Sequence, residues 1–337
     1  MPDTAVIFLY GDYGTGKTLQ WARMLWGAFA ITPPGELKTL PGTGFVGAFA
    51  QIPYRQEYTG WTLFDLCTYL EKLQEALKGQ PYPYMGLVFE CINYVIADTM
   101  RLIEARAPKS RSGNVNKFQV DSEIKAVMDR FRGLVRTFNT NVVFTSHERS
   151  PVYEDRQRKS KGGAFFPTRT LANMLITWCD SVFRVTQDPY SPDPYAKICF
   201  EVNPMGADDD YPTKERHGVG RLRKLPPSLR EVMLACNQFG FNYVFPRLPG
   251  LEWQDSFAEE LAQGLAAGNQ KLQATMYTNA LQQGLARPYV EWAVSDGIAR
   301  YQLRKGIKAL DQPSSAGEFP GLNLGSIPGI PGIPSSS

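Results

Sequence analysis

The chain has 337 residues with a formal net charge of +3, and 43% of its residues are hydrophobic. This length and apolar content allow at least one large buried core and one or two domains. The net charge is small for this size. It therefore excludes a protein that binds nucleic acid through its overall positive charge. A surface for nucleic acid would have to come from local clusters of basic residues.

Five cysteines are scattered along the chain without a Cys-x-x-Cys pair, which argues against a disulfide framework or a zinc site. The first residues lack the basic segment and long apolar stretch of a signal peptide. No apolar run approaches the roughly 20 residues that span a bilayer. We therefore expect a soluble cytoplasmic protein without a membrane partner.

Short apolar runs alternate with amphipathic segments over the first two thirds of the chain. The runs predict strands at residues 5–10, 44–52, 85–92, 141–146, 181–186 and 196–202. The segments between them predict helices at residues 18–30, 63–77, 121–138 and 226–239, and a further helix from the third strand to about residue 106. Strands that alternate with helices of this length predict an α/β fold with a mainly parallel sheet covered by helices on both faces.

The pattern changes after about residue 249. Residues 252–310 are rich in Ala, Gln and Leu and predict three helices without strands. From residue 312 the chain consists largely of Pro, Gly and Ser and ends in PGIPGIPSSS, which predicts a flexible tail. We therefore divide the chain into an α/β domain at residues 1–248, a helical appendage at 249–311 and a flexible tail at 312–337.

The stretch LYGDYGTGKTLQW, residues 9–21, contains G-x-x-x-x-G-K-[ST] between a predicted strand and a predicted helix. Glycines let backbone N–H groups curl around a phosphate, and the helix N-terminus behind them favours an anion. Lys17 would neutralise the β- and γ-phosphates, and the Thr18 hydroxyl would bind Mg²⁺. The motif therefore predicts a site for ATP and Mg²⁺, with a glycine-rich turn without a ligand as the alternative. The residues of this phosphate loop are Gly11, Asp12, Tyr13, Gly14, Thr15, Gly16, Lys17 and Thr18.

Acidic side chains after two predicted strands are candidates for metal and water chemistry. Glu90 closes MGLVFE, where most P-loop proteins place an aspartate that orients Mg²⁺. Its longer side chain can reach Mg²⁺ directly or polarise water, and the alternative is a strand-end carboxylate without a metal role. Glu57, in RQEYTG, is the candidate catalytic base, and a solvated loop residue is an equal alternative.

The sequence FTSHE at residues 144–148 closes the next predicted strand. Ser146 or His147 lies where a polar side chain can sense the γ-phosphate. The alternative is a histidine with a structural role, which is the more frequent use of a lone histidine.

These elements together resemble the RecA-like P-loop ATPases of the phage recombination type, whose core is a single RecA- or RadA-like nucleotide-binding domain. The resemblance rests on GDYGTGKT, GLVFE, NVVFTSHE and TKERHG, the last at residues 213–218, and covers roughly residues 4–245. TKERHG is similar to the Lys-x-Arg-x-Gly signature of RadA-type recombinases. The resemblance implies that Lys214 and Arg216 act in trans on the γ-phosphate of a neighbouring subunit, within a ring or filament. A basic turn on the surface is the alternative.

The same resemblance implies DNA-binding loops after two strands, and the residues there suit single-stranded DNA. Basic groups track a phosphate backbone while aromatic rings accept stacked bases. The first segment, 106–117, contributes Arg106, Lys109, Arg111 and Lys117. The second segment, 148–169, contributes Arg149, Arg156, Arg158, Lys159, Lys161 and Arg169, interleaved with Tyr153, Phe165 and Phe166. Acidic neighbours dilute the positive charge, and a solvated loop or a contact between subunits is the alternative.

The sequence therefore predicts a Mg²⁺-dependent ATPase that acts on single-stranded DNA in phage recombination or replication, in the host cytoplasm or in a virion. Two other classes stay open. One is a DNA-packaging motor, although no acidic cluster of a nuclease domain follows the core. The other is an assembly or virion-associated protein that keeps the nucleotide-binding fold and docks through its C-terminal helices. The absence of an obvious catalytic glutamate favours this last class.

Overall fold

Strands and helices alternate along the chain. The computed structural model describes residues 3–32, 40, 45–51, 61–109, 115–154, 157–187, 197–202, 211–269 and 271–311. The strands are β1 (Val6–Gly11), β2 (Phe29–Thr32), β3 (Ala48–Gln51), β4 (Gly86–Phe89), β5 (Asn141–Arg149), β6 (Val152–Glu154), β7 (Gln157–Ser160), β8 (Gly163–Ala164), β9 (Ser181–Gln187), β10 (Ile198–Glu201), β11 (Lys214–Glu215) and β12 (Lys224–Leu225). The helices are α1 (Lys17–Met24), α2 (Leu63–Ala76), α3 (Ile92–Arg106), α4 (Lys117–Thr137), α5 (Arg169–Trp178), α6 (Leu229–Ala235), α7 (Trp253–Ala266), α8 (Leu272–Gln282) and α9 (Arg287–Asp311).

The main sheet of the described residues has the strand order β12-β10-β9-β1-β5-β4-β2-β3, with β11 paired to β9 and β8 paired to β5. Neighbouring strands from β9 to β3 in this order run parallel, whereas β10 is antiparallel to both of its neighbours, β9 and β12. In register, Gly11 lies beside His147, and Phe89 lies beside Phe144. The residues that follow β1, β4 and β5 therefore meet at the carboxyl edge of the sheet, where α/β folds bind their ligands.

The sheet is buried on both faces, as the continuous apolar runs predict. Successive side chains of a strand point to opposite faces, and in β1 Phe8 joins one core while Ile7 joins the other. The first core lies under α2, α3, α4 and α5. The second lies under α1 and α6 and also receives Leu303 and Ile307 of α9.

The described residues from 253 to 311 form the helices α7, α8 and α9 and no strand. These helices pack on one another, and α9 also packs on α6. Charged groups join this appendage to α6. Arg300 of α9 contacts Glu231 of α6 at 2.8 Å and Asp255 of α7 at 2.6 Å. Arg230 and Arg247 also contact Asp255, at 3.2 and 3.0 Å. The appendage is therefore fastened to the α/β part by ion pairs as well as by apolar contacts, and the boundary at residue 248 stays a prediction.

The predicted α/β fold class is confirmed: the described residues form a mainly parallel sheet flanked by helices, followed by C-terminal helices. The predicted tail lies outside the described residues. None of the helices in the described part of the chain is long and apolar enough to cross a membrane.

The predicted helix at residues 18–30 is wrong in its second half. The chain leaves the helical conformation at Leu25, and Phe29–Thr32 forms the buried strand β2 between β3 and β4. The apolar run LWGAFAIT carries no periodicity that separates helix from strand, so pairing in the sheet decides its structure. The pattern also misses α5 and the β6–β7 hairpin, and β5 extends to Arg149 because its end pairs with β8.

Candidate nucleotide-binding site

The phosphate loop lies at the carboxyl end of β1 and leads into α1, as predicted. Gly14 and Gly16 have φ angles of +72° and +90°, in the left-handed region that glycine tolerates best. A Cβ atom on Gly11 would lie 2.3 Å from the carbonyl oxygen of Val185, so the close approach of β9 also requires glycine there. The loop therefore has the tight backbone that a phosphate cradle needs, with a helix N-terminus behind it.

Lys17 lies inside the loop with only 6% of its surface exposed. Its Nζ donates to the carbonyl oxygens of Gly11 at 2.9 Å and Asp12 at 2.8 Å. The Asp12 carboxylate accepts the N–H of Tyr13 at 2.7 Å. The ammonium group is therefore held at the mouth of the cradle, where it can exchange carbonyl partners for phosphate oxygens.

Glu90 and Thr18 meet although 72 positions separate them in the chain. Glu90 follows β4, is 2% exposed, and accepts a hydrogen bond from Thr18 Oγ1 to its Oε1 at 2.8 Å. Its Oε2 accepts the indole N–H of Trp21 at 2.5 Å. A hydroxyl and a carboxylate are the ligand types that Mg²⁺ prefers, so these residues fit a Mg²⁺ site. Because both carboxylate oxygens already accept hydrogen bonds, the geometry favours an orienting role for Glu90 over the role of a base.

The turn after Glu90 is held by residues that the sequence pattern did not single out. Cys91 has a φ of 57°, an uncommon conformation for a residue with a Cβ. Its N–H donates to Thr145 Oγ1 at 2.7 Å, which ties the end of β4 to β5. This turn aims Glu90 at the loop, and no sequence signal pointed to Cys91 or Thr145.

His147, at the end of β5, lies against the phosphate loop. Its ring stacks on that of Tyr13, with centroids 3.9 Å apart, and its Nε2 lies 3.5 Å from Cys91 Sγ. Burial and the nearby Lys17 ammonium lower the pKa of His147 to about 4, against the opposite effect of Asp12. The imidazole is therefore neutral at physiological pH and suited to hydrogen bonding with a ligand rather than to charge pairing.

Ser146, the other predicted sensor, is fully buried, and its Oγ donates to the backbone carbonyl of His147 at 2.9 Å. The hydroxyl is thus directed at the backbone of its own strand. The structure places the ring of His147, and not the hydroxyl of Ser146, in contact with the loop.

Lys214 and Arg216 lie at the opposite end of the sheet from the phosphate loop of their own chain. Lys214 is paired with Val182 near the start of β9. Its Nζ donates to the carbonyl oxygens of Ile176, Thr177 and Cys179 at 3.1, 3.1 and 2.6 Å, which caps the C-terminus of α5. The Arg216 side chain is 55% exposed and lies 3.9 Å from Asp180. Of the two predicted trans-acting cations, Arg216 is the more accessible.

The rest of TKERHG builds a buried polar centre. The Glu215 carboxylate accepts the backbone N–H groups of His217, Gly218 and Gly220. Burial opposes ionisation of Glu215. The hydrogen bonds from the His217 side chain and from the backbone outweigh this effect and keep the pKa of Glu215 below its ordinary value. His217 contacts Ser181 Oγ at 3.0 Å through Nδ1 and Tyr243 OH at 2.8 Å through Nε2. Glu215 and His217 lie close to Cys236, and the three residues have the spacing of metal ligands. The polar atoms of Glu215 and His217 are already occupied by these hydrogen bonds, so the cluster stabilises the fold.

The predicted DNA-binding residues divide into exposed and buried groups. Tyr153 and Phe165 are 53% and 50% exposed, and Lys109 and Lys159 are exposed, the latter paired with Glu154. Lys161 is half-buried. Phe166 is 3% exposed and packs against Phe8, so its predicted role in base stacking is wrong. The part of the chain that the structure describes does not include Glu57, Arg111, Arg156 or the side chain of Arg158.

Comparison with known proteins gives one family match. The family model of the AAA domain matches residues 3–217. No curated protein matches the chain. Similar solved structures include the flagellar accessory protein FlaH from Methanocaldococcus jannaschii, at 12% identity and a TM-score of 0.32, covering 59% of this chain and 77% of that one. A KaiC-like protein from Pyrococcus horikoshii OT3 matches at 10% identity with the same TM-score and coverage. The RadB recombinase matches at 14% identity and a TM-score of 0.34, covering 58% of this chain and 79% of that one.

Proposed function

This chain belongs to the AAA domain family of P-loop ATPases, and we propose that it binds ATP with Mg²⁺ and hydrolyses it in response to single-stranded DNA. The observation that carries the proposal is the 2.8 Å hydrogen bond from Thr18 of the phosphate loop to Glu90. A hydroxyl and a buried carboxylate held together beside a phosphate cradle are the parts that a Mg²⁺–nucleotide site requires.

The residues of the loop have separable roles in this proposal. The backbone N–H groups and the N-terminus of α1 bind the phosphates, and Lys17 neutralises their charge. Thr18, with Glu90 beside it, would hold Mg²⁺, and the ion would supply positive charge to the phosphates during transfer. Glu90 orients the Thr18 hydroxyl, and the neutral imidazole of His147 offers a polar contact beside the γ-phosphate position. Since both Glu90 oxygens are engaged, Glu57 stays the candidate for the base.

Arg216 supports an active site completed between subunits. Its side chain is more than half exposed and lies at the far end of the sheet from the phosphate loop of its own chain. A guanidinium in that position cannot serve its own nucleotide, but it can serve that of a neighbour in a ring or filament. The charge it would supply stabilises the transition state of phosphoryl transfer.

The segment after β5 supports the choice of single-stranded DNA. It returns to His147 of β5, whose ring lies at the proposed nucleotide site and whose carbonyl accepts the N–H of Phe165 at 2.8 Å. It exposes the rings of Tyr153 and Phe165 and the side chain of Lys159, whose ammonium is paired with Glu154. Exposed rings beside basic groups suit stacked bases and a phosphate backbone. We place this activity in phage recombination or replication.

The test measures ATP hydrolysis with and without single-stranded DNA. We expect DNA to accelerate the wild-type protein and Lys17→Ala to lose about 100-fold or more. Arg216→Ala should lose on the order of 1,000-fold in turnover while it keeps its nucleotide affinity. Mixing the two inactive variants should restore part of the activity, because an intact loop then meets an intact Arg216. Turnover of Arg216→Ala at the wild-type rate would rule out action in trans.

Two adjacent phenylalanines offer a matched pair for the DNA part of the proposal. Phe165→Ala should weaken binding of single-stranded DNA and leave stability unchanged, because that ring is half exposed. Phe166→Ala should instead lower the free energy of unfolding by about 3–5 kcal/mol, because that ring is buried. Equal DNA affinity of Phe165→Ala and the wild type would contradict stacking on this surface.

A second candidate is an assembly protein that binds nucleotide without turnover. The observation that favours it is the use of the Lys214 ammonium inside the subunit, where it caps α5. One of the two predicted trans-acting cations is then engaged elsewhere, and the helices α7–α9 offer a docking element. Tight nucleotide binding without hydrolysis, with or without DNA, would support this candidate over the first.

A further inference from the structure

We propose that Trp21 is a positioning residue of the nucleotide site, and that its indole N–H fixes the carboxylate of Glu90 so that it faces Thr18. The inference rests on the proposed Mg²⁺–nucleotide function and adds a residue that the P-loop motif does not include.

The two donors to Glu90 come from one face of α1. Thr18 and Trp21 are three positions apart, which places their side chains next to each other on the helix surface. Thr18 Oγ1 donates to Oε1 at 2.8 Å, and Trp21 Nε1 donates to Oε2 at 2.5 Å. A single helix therefore holds both oxygens of the carboxylate, one by each donor.

The indole is itself fixed by its surroundings. Trp21 is fully buried, and its ring meets that of Phe45 edge to face, with centroids 5.4 Å apart at 88°. The N–H therefore has a set direction, and Glu90, at 2% exposure, receives it in a region that water does not reach freely. Hydrogen bonds to a charged group are among the stronger ones, and they count most where the charge is buried.

This contact also accounts for glutamate at a position where the sequence pattern leads one to expect aspartate. A glutamate has one more rotatable bond than an aspartate, and a free bond lets the carboxylate turn away from Thr18. The Trp21 N–H removes that freedom. An aspartate is one methylene shorter, so its carboxylate would lie farther from both donors in the present backbone.

The consequence is a Mg²⁺ affinity that depends on Trp21. Groups that orient metal ligands through hydrogen bonds typically contribute 10- to 100-fold to metal affinity. Trp21 acts through Glu90, so we expect its loss to weaken Mg²⁺ binding about tenfold. Binding of nucleotide without Mg²⁺ should not change, because the phosphate loop keeps all its groups.

The experiment titrates Mg²⁺ into the full chain with a fluorescent, non-hydrolysable ATP analogue and measures nucleotide binding rather than turnover. The variants are Trp21→Phe and a protein with benzothienylalanine at position 21, which keeps the indole shape but has sulfur in place of the N–H. The second variant keeps the test valid if Trp21→Phe folds poorly. Trp26→Phe is the matched control, since its N–H donates to the Pro246 carbonyl, away from Glu90.

Repeating the titration in a Glu90→Met background, which has no oxygen to accept the indole N–H, separates positioning from packing. The benzothienyl variant should lose about tenfold in Mg²⁺ affinity beside Glu90 and less than twofold beside the methionine. Unchanged Mg²⁺ affinity beside Glu90, or equal losses in both backgrounds, would overturn the inference alone. Wild-type nucleotide binding that is indifferent to Mg²⁺ would overturn the proposed function and the inference together.

Discussion

Replacement of Lys214 by methionine removes an ammonium group that donates to three backbone carbonyls at the end of α5. The methionine keeps most of the apolar stem, so the change isolates the charge. If Lys214 serves as a helix cap, the loss appears in stability. If it acts on a neighbour's nucleotide, the loss appears in turnover.

The expected magnitude follows from the contacts. A cation at a helix C-terminus contributes about 0.3–1 kcal/mol, and a hydrogen bond from a charged donor contributes about 1.5–3 kcal/mol where water is excluded. The carbonyls at the end of α5 are partly open to solvent, and water can replace part of the lost donation. We therefore expect Lys214→Met to lower the free energy of unfolding by about 1–2 kcal/mol.

Urea unfolding measures this loss as a lower midpoint at an unchanged slope. Arg216→Met is the matched control on the same segment. Its exposed side chain predicts a change within about 0.5 kcal/mol. A Lys214→Met protein that unfolds at the wild-type urea concentration but loses ATP turnover would refute the capping role. It would assign Lys214 to the neighbour's phosphates instead.

Three further predictions concern the pH dependence of Asp255 and His147. Burial opposes ionisation of Asp255, but the arginines around it prevail and lower its pKa from 3.8 to about 2. The ionised Asp255 carboxylate therefore stabilises the folded state fully above its unfolded pKa, and this stabilisation is lost as the pH falls toward 2. The difference in urea midpoint between the wild type and Asp255→Asn should consequently become smaller from about pH 6 to about pH 3. A difference that stays constant over this range would contradict the prediction. The pKa of His147 is lowered to about 4, so its ring resonances should not titrate in NMR spectra between about pH 6 and 8. Below about pH 6.5, His147 binds a proton in the unfolded state but not in the folded state, so the free energy of unfolding falls as the pH decreases. His147→Gln should make this fall smaller.

The sequence pattern predicted what local rules determine. The motif from Gly11 to Thr18 specifies its own loop, and the alternation of strands and helices specifies the parallel sheet. The position of Glu90 could also be predicted, because the carboxyl ends of parallel strands lie at one edge of the sheet. The hydrogen bond from Trp21 to its second oxygen could not be predicted, since it depends on which face of α1 lies against Glu90.

Other features depend on contacts that no local pattern contains. Phe165 and Phe166 are equivalent in the sequence, yet strand pairing at β5 exposes one ring and buries the other. Lys214 fits a trans-acting signature, but the position of α5 decides what its ammonium contacts. The strand β2 was missed because its apolar residues suit a helix equally well until neighbouring strands offer hydrogen bonds.

The helix α1 has a second face, and it is as fully engaged as the first. Gln20 donates to the Pro227 carbonyl at 3.0 Å and accepts the N–H of Leu229 at 3.0 Å. One turn further on, the guanidinium of Arg23 lies 5.8 Å from the ring centre of Trp292 in α9. Helix α1 is thus shared by the candidate nucleotide site on one face and by α6 and α9 on the other. Exchange of the C-terminal helices for another module would therefore require new residues on the second face of α1.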